Sequence, residues 1–580
     1  MKIRKTLRNI ALLGLFGLST VACDDFLTIT PTNDIILEEY WTEKADVDAA
    51  VASVYKSLLK DGIIERMIVW GELRSDNMTV GLIESSDEYL RSVANNNMYA
   101  SNGINGWGDF YHVINNCNTV LKYAPEVQAK DPNFLEGDLE VIESEMRTIR
   151  ALCYFYLLRS FHAIPVNTVN VMDDADVKEP EQVSRDSIYT LILEDLNYAE
   201  PLAVESGAYV SDEQNKGYIT RDAVRAIRAD VYLWLASEKG DKAAYQQCVN
   251  DCDLVIDSKV LAYNKNIKNA SLSAGVKEEA DVSLGIYPLV SNDGIGVGSI
   301  NLTENAYYDL WGSENGEESI FELQFDGDAS NGDQNVNNKS YLLHGCDESN
   351  IGKLAPAAFL SENYAAKAPG LQDPLFSAKD VRRYENIYTR SAGEYGIAKY
   401  ASRLATPISV ATTTGEVTAL YNYRSGEGKN DANWIVYRLT DVMLMKAEAL
   451  VQINDSLGAF KLVNAIHKRA TPSATISDTL SYDEYKNNME KLVLDERQRE
   501  LMFEGKRWYD LMRYALRRNS SKEMVNAFLL QKYADNQAAI KSKLSNLNSL
   551  FFPIAQSELD RNKNLKQNPE FLTTSSTERN

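Results

Sequence analysis

The sequence is poor in basic residues, in histidine and in cysteine. Its 580 residues hold 60 Lys and Arg against 83 Asp and Glu, which gives a formal net charge of −23. Nucleic-acid binding needs clustered cations, so this balance disfavours a nucleic-acid partner. The four histidines show no recognisable ligand spacing, and the six cysteines form neither a CxxC pair nor a zinc pattern. We therefore expect neither a bound metal ion nor a cofactor.

The sequence also lacks the short motifs of common enzymes. It contains no GxSxG, no HExxH and no P-loop. Gly294, Gly296 and Gly298 form a GxGxG, but no helix is evident after it. A pair of carboxylates spaced for glycoside hydrolysis stays open as an alternative, because acidic residues are abundant. The sequence favours a protein that is not an enzyme.

No internal segment is long and apolar enough to span a bilayer. The N-terminus has the three parts of a secretory signal: a basic start, an apolar run from Ile10 to Leu18, and small residues before Cys23. Small residues before a cysteine resemble the cleavage box of a bacterial lipoprotein, whose thiol becomes acylated. We therefore predict a signal peptide over residues 1–22 and lipidation of Cys23. An ordinary signal peptide with an incidental cysteine is the alternative.

Much of the remaining chain has the hydrophobic spacing of amphipathic helices joined by short connections, which is typical of stacked helix pairs. Two stretches interrupt this pattern. Residues 73–105 are rich in Asn, Ser, Gly and Asp, and residues 265–430 form a long irregular region with strand-like runs at 319–325 and 411–421. The predicted helices cover residues 42–60, 107–123, 139–161, 184–202, 220–237, 241–256, 434–452, 458–468 and 482–518.

Residues 495–518 have the spacing of one long amphipathic helix. Leu494, Leu501 and Trp508 recur every seven residues and form one apolar stripe. Glycine costs roughly 1 kcal/mol against alanine inside a helix, so we expect close packing at Gly505. The charged residues are predicted to form a paired, solvated face, with the pairs Asp495–Arg499, Lys506–Asp510, Glu504–Arg507 and Asp510–Arg513.

Several blocks of the chain occur in an order typical of one family. They are CDDFLTITPTN from Cys23, the segment Glu143–Val166, DVRRYENIY from Asp380, the segment Trp434–Leu450, DERQRELMFEGKRWYDLMR from Asp495, and the segment Phe551–Phe571. Together they resemble the SusD/RagB family of Bacteroidetes outer-membrane nutrient-binding lipoproteins. The chain departs from the family pattern at His162, where Gly is usual, and at Ala555 and Glu570 near the end.

The resemblance implies a fold, a partner and a location. The fold is mainly α and SusD-like, with tetratricopeptide-like helix pairs and a large irregular loop region that carries small β elements. Family members are not enzymes. They sit on the outer leaflet of the cell outer membrane through a lipid anchor, cap a TonB-dependent SusC-like transporter and deliver a captured oligosaccharide to it. Asp24 and Asp25, directly after Cys23, resemble a surface-export signal of these lipoproteins.

Sugar binding requires flat aromatic rings for the apolar faces of the sugar, and amides, carboxylates or Arg for its hydroxyls. The two irregular regions offer such residues, and family ligand sites use loops in the same two regions. Trp70 and Trp107 are expected to be packing residues instead. The predicted ligand-binding residues are Asp76, Asn77, Arg91, Asn96, Asn102, Tyr307, Tyr308 and Trp311.

The predicted organisation has four parts. Residues 1–22 form the signal peptide and residues 23–41 a lipidated tether. Residues 42–260 form the N-terminal helical part, and residues 261–580 the C-terminal part with the loop-rich ligand region, the last two parts making one compact unit. Two alternatives to oligosaccharide capture stay open: capture of a peptide or another nutrient by a member of the same family, and a helical scaffold that binds only proteins.

Overall fold

The chain folds mainly into helices, as its hydrophobic spacing predicts. The computed structural model describes residues 40–572 apart from gaps at 82–86, 173–177, 271–277, 293–294, 297–298, 301–304, 328–334, 338, 340–342, 345–351, 361–374, 378–379, 390–394, 411–416, 425–429 and 472–479. The predictions for the signal peptide and Cys23 lie outside the described residues. No described helix is both long enough and apolar enough to cross a bilayer.

Helices of the N-terminal half follow one another closely and pack on their neighbours. They are α1 (Lys44–Leu58), α2 (Asp61–Ile68), α3 (Glu88–Ala94), α4 (Gly108–Gln128), α5 (Glu136–Ser160), α6 (Arg185–Leu202), α7 (Asp212–Gly217), α8 (Arg221–Lys239) and α9 (Lys242–Ala270). Helix α4 packs on α1 and α5, α6 packs on α5 and α8, and α8 packs on α9. The N-terminal half is therefore a row of stacked helices, as predicted.

Helices of the C-terminal half continue this row. They are α10 (Arg382–Asn386), α11 (Leu439–Gln452), α12 (Ser456–Ala470), α13 (Tyr482–Tyr485), α14 (Met489–Leu501), α15 (Arg507–Arg518), α16 (Ser521–Ala527), α17 (Gln537–Lys543) and α18 (Gln556–Arg561). Helix α11 packs on α9, α12 and α14. One apolar core consequently runs through both halves, and it includes Trp70 and Trp107, which were expected to be packing residues.

The described strands form small antiparallel pairs. They are β1 (Met78–Val80) with β5 (Leu354–Pro356), β2 (Ile295–Gly296) with β3 (Ser299–Ile300), β4 (Ser319–Leu323) with β10 (Trp434–Arg438), β6 (Ile387–Thr389) with β7 (Tyr395–Ile397), and β8 (Ser402–Val410) with β9 (Val417–Tyr423). The prediction of a mainly α fold with small β elements is confirmed.

Several elements differ from the sequence prediction. Residues 434–438 form β10 rather than the start of a helix, because β4 supplies the backbone partner that sequence spacing does not show. Helix α9 continues to Ala270, fourteen residues beyond its predicted end at Ile256. Residues 73–105 are not all loop, because Asp87 accepts a hydrogen bond from the backbone N–H of Leu90 and so caps α3.

The predicted long helix over residues 482–518 is wrong. The chain forms α13, α14 and α15, and a tight turn at residues 502–506 separates the last two. Phe503 and Gly505 take left-handed backbone conformations, with φ of 68° and 71°. The buried Glu72 carboxylate fixes the turn by accepting hydrogen bonds from the backbone N–H groups of Phe503 at 3.0 Å and Lys506 at 3.0 Å.

The expectation of close packing at Gly505 is confirmed. A Cβ atom added to Gly505 would lie 2.5 Å from the carbonyl oxygen of Met67. A Cβ atom added to Gly71 would in turn lie 1.8 Å from the carbonyl oxygen of Gly505. Two backbones therefore touch here, which requires a residue without a side chain at both positions.

The predicted solvated charged face is also wrong, because its charged residues are largely buried. Glu500 forms ion pairs with Arg382 at 2.9 Å, Arg438 at 2.7 Å and Arg469 at 2.6 Å. Glu504 pairs with Arg438 and Lys399, both at 2.8 Å. We call these six residues, together with Asp441 and the cations Lys506 and Arg497 that pair with it, the ionic core.

Of the four predicted pairs within this segment, the structure contains Asp510–Arg513, at 2.7 Å. The other charges pair with residues that are distant in sequence, or with different neighbours. Lys506 pairs with Asp441 at 2.7 Å, and Arg507 with Asp76 at 2.8 Å. Helical spacing identifies neighbours on one helix, but it does not show which other elements bring charges to that helix.

Candidate functional site

Two of the predicted ligand residues, Asp76 and Asn77, lie inside the protein. The Asp76 carboxylate accepts hydrogen bonds from Arg507 Nε at 2.8 Å and Nη2 at 2.9 Å. The Asn77 amide donates to Glu72 at 2.7 Å and accepts from Gln498 at 2.8 Å. Both residues therefore connect the turn before α15 to the start of residues 73–105.

Asn96 and Asn102 are buried as well. The Asn96 side chain accepts a hydrogen bond from Arg74 Nε at 2.8 Å and donates one to the Tyr533 hydroxyl at 2.9 Å. The Asn102 side chain donates to Ser92 Oγ at 2.8 Å and accepts from the backbone N–H of Ile104 at 2.9 Å. These two amides therefore hold the backbone around α3 from the interior side of the protein.

Tyr307 and Trp311 belong to the core of the C-terminal half. The Tyr307 hydroxyl lies 2.9 Å from the Ala398 carbonyl oxygen and 3.0 Å from that of Ser402. The Trp311 ring is 4% exposed, and Lys399 Nζ lies 4.8 Å from its centroid. A cation held over a buried indole stabilises packing.

The structure separates the eight predicted residues by exposure. Six of them are buried: the polar groups of Asp76, Asn77, Asn96, Asn102 and Tyr307 bond within the protein, and the Trp311 ring packs against Lys399. Arg91 is exposed and Tyr308 is half-buried. Ligand contact stays a prediction for all eight. The chemistry of the eight residue types suits a sugar, but residue type does not reveal which side of a loop faces solvent.

An exposed aromatic side chain that sequence reasoning missed lies in the same stretch. Among the described aromatic residues, only Tyr89 and Tyr198 are exposed, at 52% and 38%. Tyr198 is already engaged, since its ring lies 4.1 Å from the Arg147 guanidinium carbon and its hydroxyl donates to Glu143. The cap at Asp87 and the apolar residues of α3 are the signal that could have placed Tyr89 outward.

Exposed polar side chains lie in the same stretch as Tyr89. We call Tyr89, Arg91, Asn95 and Asn97 the loop surface; each of the four is exposed. Strand β1 pairs with β5 beside it, and the ion pair between Lys353 and Asp87 at 3.2 Å ties the two segments together. The loop surface thus contains a flat ring, two amides and a guanidinium within one short stretch of chain next to the β1–β5 pair.

A second candidate is a large cavity of about 1290 Å³ formed by residues 205–225, 254–266 and 309–320. We call it the polar cleft. None of the eight predicted residues lines it. Its lining includes the carboxylates of Glu205, Asp212, Glu213, Asp222, Asp257, Asp309, Glu314 and Glu317, and the cations of Lys216, Arg221, Arg225, Lys259 and Lys265.

Several cations of the polar cleft are held by the protein itself. Lys259 donates to the Glu317 carbonyl oxygen at 2.7 Å, and Arg225 pairs with Glu200 at 2.7 Å. Burial, with Glu318 and Glu317 close by, raises the pKa of Asp309 to about 7. Internal partners thus offset much of the positive charge of the lining, which leaves the cleft acidic.

Within the described part of the chain, no group of three or more His, Cys, Asp or Glu is arranged to hold a metal ion. The four described cysteines, Cys117, Cys153, Cys248 and Cys252, are buried and free. Neither candidate surface therefore offers a built metal centre among the described residues.

The chain is similar in sequence to known proteins. A sequence model of the SusD family matches residues 317–571. SusD-like protein P38 of Formosa agariphila is 25% identical over 519 residues, which cover 88% of this chain and 92% of the relative. SusD-like protein P2 of the same organism is 24% identical over 86% of this chain and 89% of its own length.

The chain resembles proteins of the SusD family over most of its length. Solved SusD structures share its fold: one from Bacteroides vulgatus has a TM-score of 0.63 at 18% identity and covers 92% of this chain and 100% of its own. One from Bacteroides fragilis has a TM-score of 0.62 at 17% identity and covers 91% and 99%. SusD proteins are nutrient-binding proteins rather than enzymes, so the chemistry to be sought here is recognition.

Proposed function

We propose that this chain is an outer-membrane lipoprotein that faces the cell exterior, captures an oligosaccharide and delivers it to a SusC-like TonB-dependent transporter. Support comes from the family match and from the lipoprotein pattern before Cys23. Residues 1–22 are then a signal peptide, residues 23–41 a lipidated tether, and residues 42–260 and 261–580 the two parts of one compact unit.

The observation that carries the proposal is the exposed ring of Tyr89. A sugar ring presents C–H groups on its face and hydroxyls at its edge, so a flat aromatic ring with amides and a guanidinium nearby suits both. The loop surface supplies that set through Tyr89, Arg91, Asn95 and Asn97. A solved relative from Bacteroides vulgatus, 20% identical, is named as a candidate sugar-binding protein.

The loop surface is held from beneath, which limits the entropy lost on binding. Asn96 and Asn102 bond to the protein interior, and Asp87 caps α3 and pairs with Lys353. The exposed side chains thus lie on a segment that buried hydrogen bonds and an ion pair hold in place. A peptide is the alternative cargo, since extended peptides also use aromatic and guanidinium contacts.

Calorimetry tests the cargo. The mature chain with Cys23→Ser is titrated with a panel of neutral oligosaccharides and with mixed peptides. We expect saturable binding to an oligosaccharide, weakened about tenfold or more by Tyr89→Ala, because a lost stacking contact of about 1.4 kcal/mol corresponds to that factor. Tyr198→Ala removes the other exposed ring and should leave affinity unchanged. Tight peptide binding without any oligosaccharide binding contradicts the proposal.

Acylation and location are tested separately. Cells fed labelled palmitate should label the wild-type chain and not the Cys23→Ser variant. Protease added to intact cells should degrade the wild-type chain while leaving a periplasmic marker intact. Unlabelled wild-type protein, or a chain protected until the cells are lysed, would contradict the proposed anchor or the proposed orientation.

A further inference from the structure

Helix α9 exposes two leucines on the side that borders the polar cleft. Leu254 is 42% exposed and Leu261 is 72% exposed, and both line the cleft. Seven residues are two turns of a helix, so the two side chains lie on the same side of α9. Its opposite side is buried through Cys248, Cys252 and Val255. The two leucines are therefore exposed apolar side chains on one side of α9, outside the core of the described protein.

Further exposed aliphatic side chains flank the same region. Val210, on the other wall of the cleft, is 98% exposed. A smaller groove of about 450 Å³ adjoins the cleft at Asp257 and includes Leu284, which is 73% exposed. Exposed aliphatic groups concentrated around one concave surface indicate an interaction site rather than scattered surface leucines.

Carboxylates lie among these aliphatic groups. Asp257 is three residues after Leu254 and four before Leu261, so it lies on the same side of α9. Glu317 also lines the cleft, and both carboxylates are exposed and form no ion pair among the described residues. The adjoining groove adds Glu278, Glu279 and Asp281, of which Glu279 pairs with Lys268 at 3.6 Å. Among the described residues, no Lys or Arg lines this groove.

The cations of the cleft cancel this charge only in part. Arg221 pairs with Glu205, which is itself a lining carboxylate, and the lining Glu314 pairs with Arg424. Arg225 pairs with Glu200, outside the lining, and the Lys259 ammonium group donates to backbone carbonyls. Lys216 and Lys265 also line the cleft, so the surface is mixed, with acidic groups in excess. An approaching partner with positive charge therefore gains favourable interactions at Asp257 and Glu317.

The combination points to a protein segment more than to a sugar. Sugars prefer flat aromatic rings, whereas the exposed apolar side chains here are leucine and valine. A helix or extended segment that alternates basic and aliphatic side chains can meet both features at once. We propose that the polar cleft and the adjoining groove are a docking site for a basic amphipathic segment of a partner protein. Its Lys or Arg side chains lie opposite Asp257 and Glu317, and its aliphatic side chains cover Leu254 and Leu261.

This docking site is independent of oligosaccharide capture, because none of the four residues of the loop surface lines the cleft or the groove. Fluorescence anisotropy of the mature Cys23→Ser chain tests it with three labelled 14-residue peptides. The first is an amphipathic sequence of Lys and Leu, the second has Glu in place of Lys, and the third has Ser in place of Leu. We expect saturable binding of the first peptide alone, weakening as salt rises.

Variants locate the site. Asp257→Asn combined with Glu317→Gln should weaken the Lys/Leu peptide about tenfold, and Leu261→Ser about threefold. Asp483→Asn combined with Glu484→Gln removes two exposed carboxylates of α13 and should change nothing. Circular dichroism of each variant checks the fold.

Two results would overturn the proposal. One is equal binding of the Lys/Ser peptide, which would show attraction of cations alone. The other is unchanged affinity of the Asp257/Glu317 variant with its fold intact.

Discussion

The ionic core and the polar cleft are both rich in charged residues, yet their charges are placed in opposite ways. In the ionic core, Glu500 and Glu504 are 3% and 2% exposed and lie against Arg382, Arg438, Arg469 and Lys399. In the polar cleft, Asp257 and Glu317 face solvent and form no ion pair among the described residues. A buried charge needs a partner to offset its desolvation, whereas an exposed one is free to serve recognition.

One carboxyl group from each region shows how its neighbours set its pKa. Burial would raise the pKa of Asp441, but Lys506 and Arg497 hold it down at about 2. In the cleft, burial together with Glu318 and Glu317 raises the pKa of Asp309 to about 7, and Lys216 opposes this only in part. The two shifts differ in sign because cations outweigh burial at Asp441 but not at Asp309.

The largest effect is expected in the ionic core. Glu500→Gln should reduce the free energy of unfolding by about 3–5 kcal/mol, because three buried guanidinium groups lose a shared counter-charge. Urea denaturation measures it. Asp257→Asn, the cleft control, should change stability by less than about 0.5 kcal/mol. Equal effects of the two changes would break the comparison between the regions.

The tight turn that holds α14 and α15 gives the next largest effect. Gly505→Ala should cost about 2–4 kcal/mol, because its backbone is left-handed and its new Cβ meets the Met67 carbonyl oxygen. Gly240→Ala is a matched control, since Gly240 has φ of 69° but no atom near the added Cβ. It should cost only about 1–2 kcal/mol. An equal loss at both sites would mean that the close approach at Gly505 contributes nothing.

The smallest effect concerns Asp309 and depends on pH. Its folded pKa is raised above the usual 3.8, so ionisation costs the folded state stability as pH rises from about 4 through 7. Asp309→Asn cannot ionise and should gain roughly 1–2 kcal/mol over wild type at pH 8, after allowance for partial exposure, and almost nothing at pH 4. Urea midpoints at the two pH values measure the gain. Asp441→Asn should instead destabilise the protein at both.

Sequence spacing and motif order were sufficient to predict the helical architecture, the small strands and the close approach at Gly505. They were insufficient wherever the partner of a residue is distant in sequence. The sequence predicts that Asp76 lies in a loop, but its carboxylate is buried and pairs with Arg507. It predicts that Glu504 belongs to a solvated face, but Glu504 is buried and pairs with Arg438 and Lys399.

The exposure of the predicted site residues also depends on distant contacts. Asn96 and Asn102 have suitable chemistry, but their amides bond inside the protein, while Tyr89 in the same stretch is exposed. Which side chains face solvent depends on which side of α3 packs on the core. The sequence therefore indicates the chemistry of this stretch but not which of its side chains are exposed, and the ligand site stays a prediction.

Hydrogen–deuterium exchange with and without a bound oligosaccharide tests the central claim most directly: that recognition belongs to the loop surface while the ionic core is a fixed support. The account predicts slower exchange on binding in residues 78–105 and unchanged exchange in residues 489–518. Protection confined to residues 489–518, or unchanged exchange in residues 78–105 at saturating ligand, would contradict it.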